Sequence, residues 1–372
     1  MPMLLPILKN LCTCVTTEQP GLVIRLDHWK LLVQSNNQPL IDTLLSYFGN
    51  LAQYEILPSA DSPRLVAIQI DDNTKLEPLH QLAFKDWPRE PGKTGRKEAV
   101  HDFSDELNQP QRLVHKIKTG LILWQNAQQP AVFGDLNRHP NQVINFILSQ
   151  NLNHWQNAGW LLGHCAALQL KDQRGIAIAG VSGGGKSTLM LRLLEQAQGF
   201  ISNDRVLFKA QKNSVMLRGI PKQPRINPGT IIHNPKLHSL ISDHQPYLAM
   251  PDASLRTLEE KYDVPVQQLY DGVDYLPQTK LHQIYLLNWG LNENAATQIT
   301  KVDLAQREEL VKAIMKSPGV FYQHQDQSFQ QKGQDPIIKD YQNLLKHTEV
   351  FEVTGQLNFE AATQLILNNL SK

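Results

Sequence analysis

The stretch GVSGGGKST constrains this chain more than any other part of it, because it fits the phosphate-binding pattern G-x-x-x-x-G-K-[ST]. The fixed positions of that pattern are Gly180, Gly185, Lys186 and Ser187. An apolar run, Gly175–Ala179, precedes the stretch, and a run without helix breakers, Lys186–Gln196, follows it. A strand, a glycine-rich turn and a helix in this order can enclose a polyphosphate with backbone N–H groups. We therefore predict a P-loop that binds ATP together with Mg²⁺.

Each residue type in this loop has a physical reason to be there. Gly183, Gly184 and Gly185 allow a tight turn with little side-chain bulk, so that several N–H groups face inward. Lys186 adds a positive charge for the β- and γ-phosphates, and the Ser187 hydroxyl is a ligand for Mg²⁺. The predicted nucleotide-binding residues are Gly180, Ser182, Gly183, Gly184, Gly185, Lys186, Ser187 and Thr188. The alternative interpretation is a glycine-rich turn whose lysine is merely solvated.

Asp204, in the stretch FISNDRVLF, is the best candidate for a carboxylate beside the metal. It follows a short apolar strand, Phe200–Ile201, and ligands gather at the carboxyl ends of strands in an open α/β sheet. Phosphoryl transfer also needs a group that handles the proton of the acceptor. We predict that Asp204 serves the metal, the acceptor or both. The alternative is an aspartate that forms a turn with Asn203.

Three further polar residues could act at the same site. His164 opens the strand before the loop strand and could lie at the same sheet edge as Asp204. The alternative is that His164 is only a polar residue that marks the end of a strand. Lys222 and Arg225 lie in a basic Pro/Gly-rich segment, where cations would neutralise charge on a transferred phosphoryl group. A solvated basic loop explains that pattern equally well. The predicted catalytic residues are Asp204, His164, Lys186 and Arg225.

The charge balance narrows the class of partner. The 372 residues include 36 Lys and Arg and 35 Asp and Glu, a net charge of +1, whereas nucleic-acid and membrane-surface proteins concentrate positive charge. We expect neither partner. Three cysteines are too few for a disulfide framework, and no apolar stretch reaches the length of a membrane-spanning helix. A cytoplasmic location is the resulting expectation.

Strands and helices alternate after about residue 160, which predicts an α/β fold in that part of the chain. The preceding part mixes short strands with occasional helices, an α+β pattern, and contains no motif that assigns it a role. We predict two domains. Residues 1–130 form an N-terminal mixed α/β region, and residues 131–372 form a catalytic domain with a C-terminal α/β extension.

The order of these residues resembles that in the catalytic domain of bacterial HPr kinase/phosphorylase. In the runs HCAALQL, GIAIAGVSGGGKSTL and GFISNDRVLF, a histidine, the loop and a residue pair ending in aspartate follow one another. The pieces GRKEAV, NQVINFI, GIPKQPRINPGT, LEEKYDV and LLNW are similar to the HPr kinase-related proteins called kinase B. The resemblance implies a fold of the phosphoenolpyruvate carboxykinase type with a mixed sheet. It also implies ATP and Mg²⁺ as cofactors.

Two positions depart from the HPr kinase pattern. The resemblance places Asn203 where that family has the aspartate associated with the acceptor proton, and an amide cannot act as a base at neutral pH. Val181 stands where the family tends to carry an acidic residue. We therefore transfer neither the reverse, phosphorolytic activity nor HPr itself as the substrate. HPr kinase assembles into rings, so the resemblance is compatible with a homo-oligomer.

The predicted function is an ATP- and Mg²⁺-dependent phosphotransferase that acts on a hydroxyl group of a protein or a small molecule. Two alternatives stay open. Asn203 motivates a nucleotide-dependent binding module without transfer activity. The other alternative is an ATPase that drives a conformational change in a partner.

Overall fold

The computed structural model describes residues 4–56, 62–88, 95–180, 183–251, 254–255, 258, 260–290 and 293–371. The chain forms two compact units. Unit 1 contains residues 1–158 and 318–334, and unit 2 contains residues 159–317 and 335–372. Each unit is built on a mixed β-sheet with helices, so both belong to the α/β class.

The sheet of unit 1 contains both parallel and antiparallel strands. They are β1 (Gly21–Leu26), β2 (Trp29–Ser35), β3 (Ala52–Glu55), β4 (Arg64–Gln69), β5 (Lys85–Asp86), β6 (Glu98–Ser104), β7 (Pro110–Lys116), β8 (Ile122–Gln125) and β9 (Ala131–Gly134). Their order is β3-β1-β2-β4-β9-β8-β7-β6-β5, with β4 parallel to both of its neighbours. The interior of β4 is apolar and buried, which is typical of a strand between parallel partners.

The helices of unit 1 pack against this sheet. They are α1 (Leu4–Cys12), α2 (Gln38–Phe48), α3 (Glu77–His80) and α4 (Pro140–Asn157), with short 3₁₀ turns at Gly49–Leu51 and Asn73–Leu76. Leu8 of α1 lies in one apolar cluster with Val66, Ile68 and Phe133 of the central strands. Burial of these side chains is the main stabilising contribution of the cluster.

Arg112 ties the segment 318–334 into unit 1. Its side chain is almost fully buried, with 1% exposed. Nε and Nη2 donate to the two carboxylate oxygens of Asp102 at 2.6 and 2.7 Å, and Nη1 donates to the carbonyl oxygens of Val320 and Gln330 at 3.0 Å each. A buried guanidinium is stable only with this many acceptors, so the cluster specifies where the segment packs.

The main sheet of unit 2 is also mixed. The strands of the unit are β10 (Leu161–Gly163), β11 (Ala166–Leu170), β12 (Gly175–Gly180), β13 (Ala197–Ser202), β14 (Val206–Gln211), β15 (Ser214–Arg218), β16 (Arg225–Ile226), β17 (Tyr262–Asp263), β18 (Asp274–Tyr275), β19 (Gln278–Leu287), β20 (Gln298–Val302) and β21 (Glu349–Thr354). The order is β10-β14-β15-β19-β12-β11-β13-β18, with β21 beside β19 and β20 beside β21. β16 and β17 form a separate two-stranded ladder.

Helices cover both faces of this sheet. They are α5 (Lys186–Leu193), α6 (Pro228–Ile232), α7 (Gln245–Leu248), α8 (Val266–Leu269), α9 (Glu308–Ile314), α10 (Ile338–Leu345) and α11 (Phe359–Leu370), with 3₁₀ turns at Leu194–Gln196 and Pro235–Leu240. Side chains alternate between the faces of β12: Ile178 packs with Leu189 of α5, whereas Ala177 packs with Val311 of α9. None of the helices in the described ranges is long and apolar enough to cross a membrane.

The boundary between the units differs from the one predicted at 130/131. β9 pairs with β4 and β8, and α4 belongs to the same compact unit, so residues 131–158 complete unit 1. The return of the segment 318–334 to unit 1 is a second difference, and no local sequence pattern signals it.

Candidate functional site

One edge of the unit 2 sheet collects the ends of several strands. β12 is parallel to β19, and β19 is parallel to β21. β13 runs in the same direction as β12, because each of them is antiparallel to β11. We call this the carboxyl edge: the residues that follow β12, β13, β19 and β21, and those that precede β11. Ligands of open α/β sheets bind at such an edge.

The glycine-rich loop leaves β12 at this edge and enters α5. Gly183 and Gly185 have φ values of +83° and +91°, a backbone conformation that favours glycine. Gly185 is the N-cap residue of α5. The Lys186 side chain is buried, and its Nζ donates to the carbonyl oxygen of Gly180 at 2.9 Å. The lysine thus bridges the two ends of the loop and holds a positive charge inside it.

Two aromatic rings from other elements contact this loop. Trp289, just after β19, donates from Nε1 to the carbonyl oxygen of Gly184 at 3.0 Å. Phe359, the first residue of α11, lies against Gly185, where a Cβ would come 2.6 Å from the ring. The two rings contact each other edge to face, with centroids 5.2 Å apart. Gly185 is therefore required by its neighbours as well as by its backbone conformation.

His164 and Asp204 meet at the same edge. His164 precedes β11 and Asp204 follows β13, and the register pairs Ala167 with Ser202, so the two flanking residues come together. Nε2 of His164 lies 3.2 Å from Oδ1 of Asp204, within hydrogen-bonding distance. Nε of Arg205 lies 3.7 Å from Oδ2 of the same carboxylate. The structure thus brings His164 and Asp204 together at this edge.

The Asp204 carboxylate is held in its ionised form. Partial burial alone would raise its pKa, but the hydrogen bond from His164 and the positive charges of Lys316 and Arg205 hold the pKa well below its usual value. Its side chain is still 45% exposed, so an incoming ligand can reach it. A carboxylate of this kind is a good cation ligand and a weak base.

Cys165 connects the loop with the His164–Asp204 pair. Its side chain is fully buried, and burial raises the pKa of the thiol to about 12. The charges of Lys186, Asp204 and Lys316 also act on that pKa. The Cys165 side chain packs in one apolar cluster with Ala179, which lies just before the loop, and with Ile201, which lies near Asp204. The loop lysine and the carboxylate therefore belong to one charged neighbourhood.

Lys316 reaches this neighbourhood from a distant part of the chain. The segment after α9 lies antiparallel to β10, with a bridge between Met315 and Gly163. The N–H of His164 donates to the carbonyl oxygen of Ile314 at 2.7 Å, and the N–H of Lys316 donates to that of Leu162 at 3.3 Å. This pairing fixes the backbone on both sides of His164.

The basic segment between β15 and α6 is anchored at both ends. Gly219 lies so close to β13 that a Cβ would come 1.8 Å from the carbonyl oxygen of Ile201. At the other end, the hydroxyl oxygen of Thr230 lies 3.0 Å from that of Thr188 in α5. One end of the segment thus contacts β13, the strand that precedes Asp204, and the other end contacts the helix that follows the loop.

Arg225 lies within this segment and is engaged by an acidic partner. It pairs with Asp263 through the β16–β17 ladder, and its Nε lies 3.1 Å from the Asp263 Oδ1. Burial raises the pKa of Asp263, and the charges of Arg225 and Lys222 oppose that rise. A guanidinium held in this way is partly neutralised, and its predicted role at a phosphoryl group stays a prediction.

The remaining predicted residues differ in their surroundings. Ser182, like Val181, lies outside the described residues. Ser187 is half-buried in the first turn of α5. The Thr188 hydroxyl, predicted to bind nucleotide, lies beside Thr230. The side-chain oxygen of Asn203 is buried and accepts no hydrogen bond from the described residues.

Residues without a motif complete the site. Trp289 follows a strong apolar strand, so the strand-end reasoning that selects Asp204 could also have selected it. Phe359 stands at the start of a helix, and Lys316 lies in a coil segment far along the chain. No local sequence signal distinguishes these two from other surface residues.

In sequence, no protein-family model matches this chain and no curated protein is similar to it. Among solved structures, the HPr(Ser) kinase/phosphatase from Coxiella burnetii is similar to part of it. The match covers 56% of this chain and 95% of that chain, with 13% sequence identity and a TM-score of 0.29. A similarity this low carries no inference about residues or activity.

Proposed function

We propose that this protein is an ATP-dependent phosphotransferase that transfers the γ-phosphoryl group to a hydroxyl group. The observation that carries the proposal is the position of the glycine-rich loop and the His164–Asp204 pair at one edge of one sheet. The buried Lys186 charge and the left-handed glycines suit a polyanion. The ionised carboxylate suits a cation or a hydroxyl donor.

The residues present also fit a magnesium ion. Mg²⁺ prefers hard oxygen ligands and is usually held by one or two protein groups together with substrate phosphates. Asp204 and Ser187 are the oxygen donors that we propose for it. Among the described residues, no group of three or more His, Cys, Asp and Glu side chains could hold a metal without the nucleotide. When bound, Mg²⁺ would neutralise charge on the β- and γ-phosphates.

The proposed transfer uses the chain's own groups to bind and orient. The acceptor oxygen attacks the γ-phosphorus, the bond to the β,γ-bridging oxygen breaks, and ADP leaves with that electron pair. Lys186 neutralises charge on the phosphates. Asp204 accepts a hydrogen bond from the acceptor hydroxyl, and His164 keeps the carboxylate in place. Because Asp204 is a weak base, the proton passes from the hydroxyl to the Asp204 carboxylate late, after the new O–P bond has begun to form and has made the hydroxyl more acidic.

Calorimetry tests the nucleotide half of the proposal. We expect heat of binding with ATP–Mg²⁺, and we expect Lys186→Ala to weaken the affinity by about 10-fold to 100-fold, the value of one or two charge-assisted hydrogen bonds. Lys312→Ala, an exposed lysine on α9, is the matched control and should bind as the wild type does. Absence of binding by the intact protein would overturn the proposal.

A second candidate function, a nucleotide-dependent switch without transfer, is favoured by Asn203. Its buried, unpartnered oxygen stands beside Asp204, where a second carboxylate would otherwise provide a base. ATP labelled at the γ-phosphate, incubated with the protein and a cell extract, separates the two functions. A labelled product that disappears with Asp204→Asn, but not with the exposed Asp271→Asn, supports transfer. Binding without any labelled product supports the switch.

A further inference from the structure

The hydrogen bond from Trp289 to the loop determines the direction of one backbone N–H group, that of Gly185. The peptide that joins Gly184 to Gly185 is trans, so its C=O and N–H groups point in opposite directions. The indole N–H of Trp289 holds the carbonyl oxygen at 3.0 Å. The N–H of Gly185 must therefore point away from the indole ring.

A second contact restricts the space around Gly185. The Phe359 ring lies against Gly185, with ring atoms 2.6 and 2.7 Å from the position of a Cβ, and the ring of Trp289 packs on it edge to face. Phe359 is itself fixed at the start of α11, where the Asn358 side chain accepts from the N–H of Ala361 at 3.0 Å. Two separate elements, the end of β19 and the start of α11, thus hold one peptide of the loop.

We propose that Trp289 is a positioning residue that keeps the Gly185 N–H directed toward the phosphate oxygens of a nucleoside di- or triphosphate. This inference rests on the proposed function, because it assigns the ligand of that N–H to a phosphate. Without the indole N–H, the peptide can turn, and the loop has to be ordered again each time a ligand binds. The resulting loss of affinity should affect binding of the phosphates and should not affect binding of the nucleoside.

Three variants separate the hydrogen bond from simple ring packing. Trp289→Phe keeps an aromatic ring and removes the donor, whereas Trp289→His keeps a ring N–H. Trp160→Phe is the control within the same unit, because Trp160 packs on Arg218, 5.3 Å from its guanidinium carbon, and not on the loop. Each is titrated by calorimetry with ATP–Mg²⁺, ADP–Mg²⁺ and adenosine.

Trp289→Phe should weaken ATP–Mg²⁺ and ADP–Mg²⁺ by about threefold to tenfold, the value of one neutral hydrogen bond, and should leave adenosine binding unchanged. Trp289→His should fall between Trp289→Phe and the wild type. Equal loss in the Phe and His variants would overturn the proposal in favour of ring packing. Unchanged phosphate affinity in Trp289→Phe would overturn it outright.

A measurement without nucleotide keeps the two proposals distinct. Amide hydrogen exchange of the peptide covering residues 183–188 should be faster in Trp289→Phe than in the wild type and in Trp160→Phe. If the wild type binds no ATP–Mg²⁺, the proposed function fails, whatever the exchange result. If the wild type binds ATP–Mg²⁺ and exchange in Trp289→Phe is unchanged, the positioning role alone fails.

Discussion

Nε2 of His164 lies 3.2 Å from Oδ1 of Asp204, although the two residues are 40 positions apart in the chain. The antiparallel pairing of β11 with β13 produces this contact, because one residue precedes the first strand and the other follows the second. The ring nitrogen contributes to the low pKa of the carboxyl group. The contact therefore helps to keep the Asp204 carboxylate ionised.

Replacing His164 with alanine should raise the pKa of Asp204. Burial, which raises that pKa, would then be opposed only by Lys316 and Arg205. Because the folded pKa is below the unfolded value, the linked stabilisation is present above the unfolded pKa of about 4 and is lost as the pH falls toward the folded pKa. In His164→Ala this loss should be smaller.

Carbon NMR titration of the aspartate carboxyl groups in magnesium-free buffer measures the shift directly. His347→Ala is the control, because His347 is exposed on the surface of the same unit. An Asp204 pKa that is the same in His164→Ala and the wild type would contradict the expectation.

Gly219→Ala should destabilise the protein by about 3 kcal/mol or more, since the new methyl group would come 1.8 Å from the carbonyl oxygen of Ile201 and backbone would have to move. Gly229→Ala is a matched control in the same segment, where the nearest atom would be 3.5 Å away. Chemical denaturation gives both free energies of unfolding. Equal stability of the two variants would show that the segment does not press on β13.

Arg112→Lys should destabilise unit 1 by about 3 kcal/mol, because the three N–H donors of an ammonium group cannot replace the four hydrogen bonds of the guanidinium, two of them to the same carboxylate. Hydrogen exchange should rise first in the segment 318–334, which supplies those carbonyls. Arg138→Lys, at an exposed arginine of the same unit, should change neither quantity. Uniform exchange across unit 1 in Arg112→Lys would contradict a local anchoring role.

Cys165 should resist alkylation in the native protein. Its thiol is fully buried with a pKa of about 12, so it stays protonated at pH 8 and has no access to reagent. Cys14 is exposed and should react under the same conditions. Mass spectrometry after iodoacetamide treatment, with and without denaturant, gives the labelled fractions. Rapid native labelling of Cys165 would contradict the burial of its thiol.

The elements with strong local patterns were predictable from the sequence. The two apolar runs His164–Leu170 and Gly175–Ala179, joined by the polar residues 171–174, predict a hairpin, and β11 and β12 form it. The helix predicted over Lys186–Gln196 begins where expected, and its last residues, Leu194–Gln196, form a 3₁₀ turn. Hydrophobic periodicity and the positions of glycines act locally, so they predict these strands and this helix without knowledge of distant contacts.

Elements that depend on distant partners were not predictable in the same way. The Pro/Gly-rich composition of residues 218–230 predicts a loop, yet these residues form β16 and the start of α6, because β17 supplies a strand partner and the Asn227 side chain caps the helix. Lys316 reaches the site through pairing with β10. Such contacts join parts of the chain far apart in sequence, and a single sequence carries no record of them.

The dependence of Arg112 on residues 318–334 limits how this protein can be divided. A fragment that stops at residue 158 would keep the guanidinium and its carboxylate but lose the carbonyl oxygens of Val320 and Gln330 and the Phe329 ring that covers the guanidinium. Such a fragment should therefore be less stable than one to which the later segment is joined by a linker. The N-terminal part of the chain is thus stabilised by residues 318–334, which are far from it in sequence.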